Sequence, residues 1–317
     1  MDRAGRAVTS QVGLVAAARE VDWAVPVGQQ LSDAADARTR ILIDGFVHEA
    51  GPPPSRFSWV TLGSHARREL HCASDQDHAL FWETEAAAST TYAADLAAAV
   101  IQGLVEFGMR PCDGGYMADR WSYSVDQWQA ILRERVQAPT PDAVVDADVF
   151  LDLRALTAGV DVGPAARTLA AGATSARLLH GLALAAISFP TPLLTFGRLP
   201  KGPVDLKKTG LAPVVLLARL YGLRARSTAV GTDERLAAAA AAGVLSDELT
   251  QRLRDAYRRL TSTRLRHQLR QIGAREYVTD TVLIEDYDDD QQEALREAFR
   301  AIKTAQSVTS VIFRTDL

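Results

Sequence analysis

A chain of 317 residues, 47% hydrophobic and 23% charged, has the length for two domains with cores of their own and the balance of an ordinary globular protein. Two cysteines, Cys72 and Cys112, exclude a disulfide framework, and neither stands in a CxxC or Cys/His spacing of the kind that binds zinc, so a reduced, cytoplasmic setting is expected. The net charge of −4 hides an asymmetry: residues 198–275 carry 16 Lys and Arg against 6 Asp and Glu, which leaves the remainder at −14.

Arg3 and Arg6 are not followed by a continuous apolar core, so no cleaved signal peptide is expected. Residues 10–50 place Val12, Val15, Ala16 and Val21, then Leu31, Ala35, Thr39, Ile43 and Phe46, at helical spacing and read as two helices. Gly51-Pro52-Pro53-Pro54 stops them. The aromatic and β-branched run 57–62 reads as a strand entering Gly63-Ser64, followed by a charged helical turn at 66–70 and a second strand at 76–82. A helix over 92–107 ends at Gly108, a loop covers 111–115, and 121–136 reads as a helix.

Residues 148–154 read as a third strand, with Val149, Leu151 and Leu153 on one face and Phe150, Asp152 and Arg154 on the other. Beyond Gly159 no further strand is expected. The spans 164–188, 205–221, 232–242, 246–272 and 291–308 read as helices of an all-α bundle, and the most apolar window, 178–196, is broken by His180, Pro190 and Pro192 and does not read as a membrane span. The acidic cluster Glu285, Asp286, Asp288, Asp289 and Asp290 suits the N-terminus of the last helix.

Asp75 and Asp77 lie two apart, so on a strand both carboxylates point to one face. Two like charges held that close are costly without a cation between them, and Mg²⁺ fits because it takes one or two carboxylates and fills its octahedron with phosphate oxygens and water. Asp152 on the third strand would complete a two-metal clamp. Gly63 lets backbone approach a phosphate, and the N–H groups after it, with the Ser64 hydroxyl, would hold phosphate oxygens. Arg67 and Arg68 would neutralise more of that charge. Each element alone is weak, since a Gly-Ser pair is most often only a turn.

In conjunction these residues carry a resemblance. GSHARREL followed by SDQDHALFW is similar to the nucleotidyltransferase signature, and more closely to a bacterial putative nucleotidyltransferase family often found with cyclic-nucleotide-binding and CBS-type domains and related to the nucleotidyltransferase part of protein-PII uridylyltransferase. PCDGGYMADRWSYSVDQW resembles the family's cysteine-glycine-methionine loop and tryptophan helix, VFLDLRAL its third-carboxylate strand, and DLKKTGLAPVVLLARLYGL with TDERL its helical substrate-binding part. The resemblance implies Gly63, Ser64, Asp75, Asp77 and Asp152 as site residues. The chain departs from the pattern at His65 and Ala66, where the family usually has an acidic residue and a glycine.

The expected architecture is therefore α+β: an N-terminal helical segment (1–50), a polymerase-beta-like mixed-sheet core (51–158) and a C-terminal helical bundle (159–317). The expected activity is Mg²⁺-dependent transfer of a nucleoside monophosphate from an NTP, ATP among the candidates, to a hydroxyl acceptor, with a protein as candidate acceptor and no membrane partner. The alternative is a signal-transduction module that binds a nucleotide without turning it over. Lys207, beside Lys208 at a helix start where cations oppose the dipole, is a candidate further phosphate ligand, the alternative being an ordinary surface lysine. Arg252, Arg259 and Arg266 form a stripe that reads as a solvated face, with RNA binding as the disfavoured third reading. His65, His71 and His78 match no metal spacing, His78 is expected to face away from Asp77, Cys112 reads as a small buried thiol, and Arg154 as a phosphate or carboxylate partner.

Overall fold

The computed structural model of the protein describes residues 26–193 and 197–315. The helix expected over 12–21 lies outside them. Helix α1, Val27–Ala50, buries Leu31, Ala35, Thr39 and Ile43 on one face, and Gly51 at φ 86° ends it. Strand β1, Phe57–Thr61, runs into a short helical turn α2, Gly63–Ala66, which begins at the glycine itself and not at Ala66 as expected. The expected strand 76–82 is two, β2 (Asp75–Gln76) and β3 (His78–Trp82), broken at Asp77. Then come α3 (Glu85–Ala88), α4 (Thr91–Phe107) with left-handed Gly108 at its end, β4 (Arg110–Pro111), β5 (Ser122–Ser124) and α5 (Val125–Gln137).

Two expectations in this stretch are corrected. The helix over 121–136 starts only at Val125, because Ser122–Ser124 pair in parallel with β3, Leu80 opposite Ser122, and sheet hydrogen bonds override helical spacing. The strand over 148–154 is the end of helix α6, Pro141–Phe150, then a turn through Asp152 and a two-residue strand β6, Arg154–Ala155. Ala143, Val144, Ala147 and Phe150 bury one helical face there, and the alternation of Val149, Leu151 and Leu153 only overlaps its end.

Downstream lie α7 (Gly163–Ala170), a 3₁₀ turn (Ala171–Thr174), α8 (Ala176–Ile187), β7 (Pro203–Asp205), a π-helical turn (Lys207–Leu211), α9 (Ala212–Arg224), α10 (Thr232–Ala241), α11 (Asp247–Ala274), β8 (Thr281–Leu283), a 3₁₀ turn (Ile284–Asp286) and α12 (Asp289–Phe313). Contrary to expectation, this half holds a ribbon: β7 and β8 pair antiparallel, Val204 opposite Val282, both buried. Three-residue strands are too short for alternation to reveal. The acidic cluster does cap α12: Asp288 accepts from the Gln291 backbone at 2.8 Å and the Gln291 side chain accepts from the Asp288 N–H, a capping box.

The chain forms two compact units. Of the described residues, the first gathers 26–134, Val149–Leu169 and Gln271–Val278, and the second 135–148, 170–270 and 279–315 apart from 194–196. In the first, the sheet runs β5-β3-β1-β6, with β1 antiparallel to both neighbours, while β2 and β4 make a separate parallel pair. One face of the sheet (Val60, Leu62, Ala79, Phe81) packs on Trp128, Leu132 and Phe150, and the Phe81 and Trp128 rings stack at 4.5 Å. In the second unit α9 is buried nearly all round, with the Tyr221 hydroxyl bonded to Thr309 Oγ1 at 3.0 Å, as a central bundle helix must be. Among the described residues no single helix is long and apolar enough to cross a membrane.

Candidate active site

The hairpin of β1 and β3 fixes the site's centre. Their register pairs Thr61 with His78, and one step on the Leu62 N–H donates to the Asp77 carbonyl at 2.9 Å, which sets Gly63 beside Asp77. Gly63 has φ 54°, a conformation that costs an L-residue about 1–2 kcal/mol. A Cβ there would also lie 2.5 Å from Asp77 Oδ2, so the position requires glycine twice over.

Asp75 and Asp77 converge as their spacing implies, and the third member of their cluster is Cys112. One ligand atom from each of the three lies within 4.8 Å of the others, and all three residues are half-buried. The β2–β4 pairing, Asp75 opposite Arg110 and Gln76 opposite Pro111, delivers the cysteine one residue later. Burial pushes its thiol up to about 12, helped by the Asp77 charge and by the hydrogen bond the thiol donates to Asp77. Two carboxylates and a thiol whose ligand atoms converge fit a divalent cation by donor chemistry.

Asp152 is placed differently from the expectation. It stands on a turn at the Gly63 end of β1, fully buried, and pairs with the Arg67 guanidinium; it does not belong to the Asp75–Asp77–Cys112 cluster. Arg67 also gives its Nε–H to Glu69 at 2.6 Å, and Arg68, at φ 60°, pairs with Asp33 at 2.6 Å. Both arginines expected to meet phosphate are thus engaged by carboxylates. Ser64 is half-buried in the first turn of α2, where its carbonyl accepts from the Glu69 N–H at 2.8 Å. Lys207 lies in the second unit, where Asp205 caps the π-helical turn by accepting from the Lys208 N–H at 2.9 Å. Arg252, Arg259 and Arg266 are exposed on α11, opposite buried Leu249, Leu253 and Leu260, as a solvated face should be.

The departure from the family pattern at His65 has a structural answer in Asp36 of α1. His65 Nε2 meets Asp36 Oδ1 at 2.7 Å, and Arg154 forks onto both Asp36 oxygens at 2.9 Å. Arg154 also donates to the carbonyls of His65 (3.1 Å) and Ala66 (3.2 Å) at the end of α2. Burial pushes the Asp36 carboxyl up, but the hydrogen bonds and charge of His65 and Arg154 outweigh it and hold it well below the carboxylate range. Burial lowers His65 despite Asp36, so the ring is neutral at pH 7 and Arg154 supplies the compensating charge.

His78 faces away from Asp77, as expected. Its Nδ1 accepts from the Ala118 N–H at 3.0 Å, which leaves the ring proton on Nε2 for Gln76 Oε1 at 3.0 Å, while Gln76 donates to the Met109 carbonyl at 3.2 Å. Burial, with the His65 charge, depresses the ring from 6.5 to about 3. The unfolded chain therefore binds a proton between those values that the folded chain refuses. The stability that His78 contributes is complete above pH 6.5 and is expected to fall by about 1.4 kcal/mol per pH unit below it. Urea unfolding followed by tryptophan fluorescence checks this, with a shallower fall of the midpoint in His78→Gln, where His65 still titrates, as the control.

Sequence reasoning missed two residues. Cys112 lies in the loop 111–115, but only the two-residue β2–β4 pairing joins it to the carboxylates, and Asp36 carries no local signal at all.

A small mixed sheet, a glycine turn closing on Asp75 and Asp77, and a helical C-terminal region define an α+β nucleotidyltransferase fold. The chain belongs to that family: residues 12–142 match the family model described as Putative nucleotidyltransferase DUF294, and residues 176–313 match the Putative nucleotidyltransferase substrate binding domain. Family membership implies a nucleoside triphosphate as substrate. No curated protein matches the chain.

Proposed function

We propose that this protein is a Mg²⁺-dependent nucleotidyltransferase that moves a nucleoside monophosphate from an NTP to a hydroxyl acceptor, a protein hydroxyl being the candidate, and releases pyrophosphate. The observation that carries the reading is the convergence of Asp75 and Asp77 beside a glycine whose missing side chain leaves room at Asp77. Asp75 and Asp77 would hold the metal. Bound there, Mg²⁺ would supply Lewis-acid stabilisation of the charge that develops on phosphate oxygens.

Gly63 gives the phosphates close backbone approach and Ser64 a hydroxyl. Arg67 is shared between Asp152 and Glu69, so a triphosphate that competes for its guanidinium would release the Asp152 carboxylate at the Gly63 end of β1, where it can accept the acceptor's proton. The helical second unit, which matches the substrate binding domain model, would serve acceptor selection. Gly63→Ala is expected to cut transfer at least about 100-fold, since a methyl there displaces Asp77. Transfer of label from each NTP in turn, with Mg²⁺ and a lysate of the host, tests the reading through the labelled acceptor.

The pairing of Arg67 and Asp152 with each other favours one second reading, a module that binds nucleotide without turnover. Calorimetric binding of an NTP with Mg²⁺ and no pyrophosphate release would select it.

A further inference from the structure

A hard Mg²⁺ site has no use for sulfur, and the thiol of Cys112 nonetheless sits among the two carboxylates that would bind the ion. We propose that Cys112 makes this a mixed oxygen–sulfur site, which a thiophilic divalent cation such as Zn²⁺ or Co²⁺ occupies through Asp75, Asp77 and Cys112 in competition with Mg²⁺. The inference rests on the metal-site reading above and deepens it: it names the class of ion that regulates the site.

Three features carry it. The ligand atoms lie within 4.8 Å of one another, a span that one ion with bonds of about 2.0–2.3 Å closes after a small side-chain adjustment. The thiol's position is set by backbone and not by chance, since β2–β4 pairing fixes Pro111 opposite Gln76 and the Gly115 N–H donates to the Cys112 carbonyl at 3.1 Å. Finally, the donors are of two kinds: carboxylates suit Mg²⁺ and Mn²⁺, whereas a thiolate adds affinity only for softer ions. On ligation the thiol gives its proton to solvent and the ion takes its place beside Asp77, so the same carboxylates cannot then hold Mg²⁺.

The bland role is a thiol that only orients Asp77 by hydrogen bonding. Titration of the purified full chain with Co²⁺ separates the two, because a thiolate ligand gives a sulfur-to-cobalt charge-transfer band in the near ultraviolet that oxygen ligands do not. The expected result is such a band, saturating at one Co²⁺ per chain, abolished by Zn²⁺ and lost in Cys112→Ser and in Cys112→Ala, both of which keep the fully buried Cys72. Circular dichroism confirms that whichever variant is read is folded. Co²⁺ binding without the band, lost in Asp75→Asn with Asp77→Asn but unchanged in Cys112→Ser, overturns the role of the thiol and leaves the carboxylate site standing. Absence of binding by Co²⁺, Mn²⁺ and Mg²⁺ alike overturns the metal-site reading itself.

Discussion

Replacing Asp75 and Asp77 together by Asn is expected to lower nucleotide transfer at least about 1,000-fold, because the metal contributes several kcal/mol of transition-state stabilisation and each 1.36 kcal/mol is a factor of ten. The fold should survive the change. Both side chains are half-buried, their mutual repulsion is relieved, and an amide oxygen can still accept the hydrogen bond from the Cys112 thiol. Loss of activity with an unchanged unfolding midpoint would therefore locate the effect in the chemistry. Transfer that persists in the double variant would remove these carboxylates from any catalytic role.

Arg154→Met is expected to give the largest loss of stability, about 3–5 kcal/mol, because it strips the guanidinium from a carboxylate buried against α2. Asp36 would then depend on His65 alone, whose ring is neutral at pH 7. Tryptophan fluorescence reads the first unit selectively, since Trp59, Trp82, Trp121 and Trp128 all lie in it. A penalty below about 1 kcal/mol, the limit for an exposed pair, would mean that the Asp36 pair is solvated and that His65 does not depend on it.

Much of this was legible in the sequence because the signals were local. Glycine stops at Gly51 and Gly108, the strand before Gly63, the i, i+2 carboxylates and the capping acid Asp288 each declare themselves within a few residues, and each appears in the structure. What was illegible depends on partners far along the chain. Ser122–Ser124 became a strand because β3 was beside it, Asp152 fell on a turn because Phe150 was needed under the sheet, and Cys112 reached the carboxylates through a two-residue pairing. The same holds for Arg67: its spacing from Gly63 suggested phosphate, but Asp152, 85 residues away, claims it. Short strands and long-range ion pairs leave no periodic trace for a sequence to show.

The most direct test of the central claim follows the α-phosphate. NTPs labelled at that position, incubated with the wild-type chain, Mg²⁺ and host lysate, should transfer label to an acceptor with release of one pyrophosphate per label, and removal of Mg²⁺ by chelation should stop both. Label that stays with free nucleotide while calorimetry records tight NTP binding would contradict the account and leave a nucleotide sensor in its place.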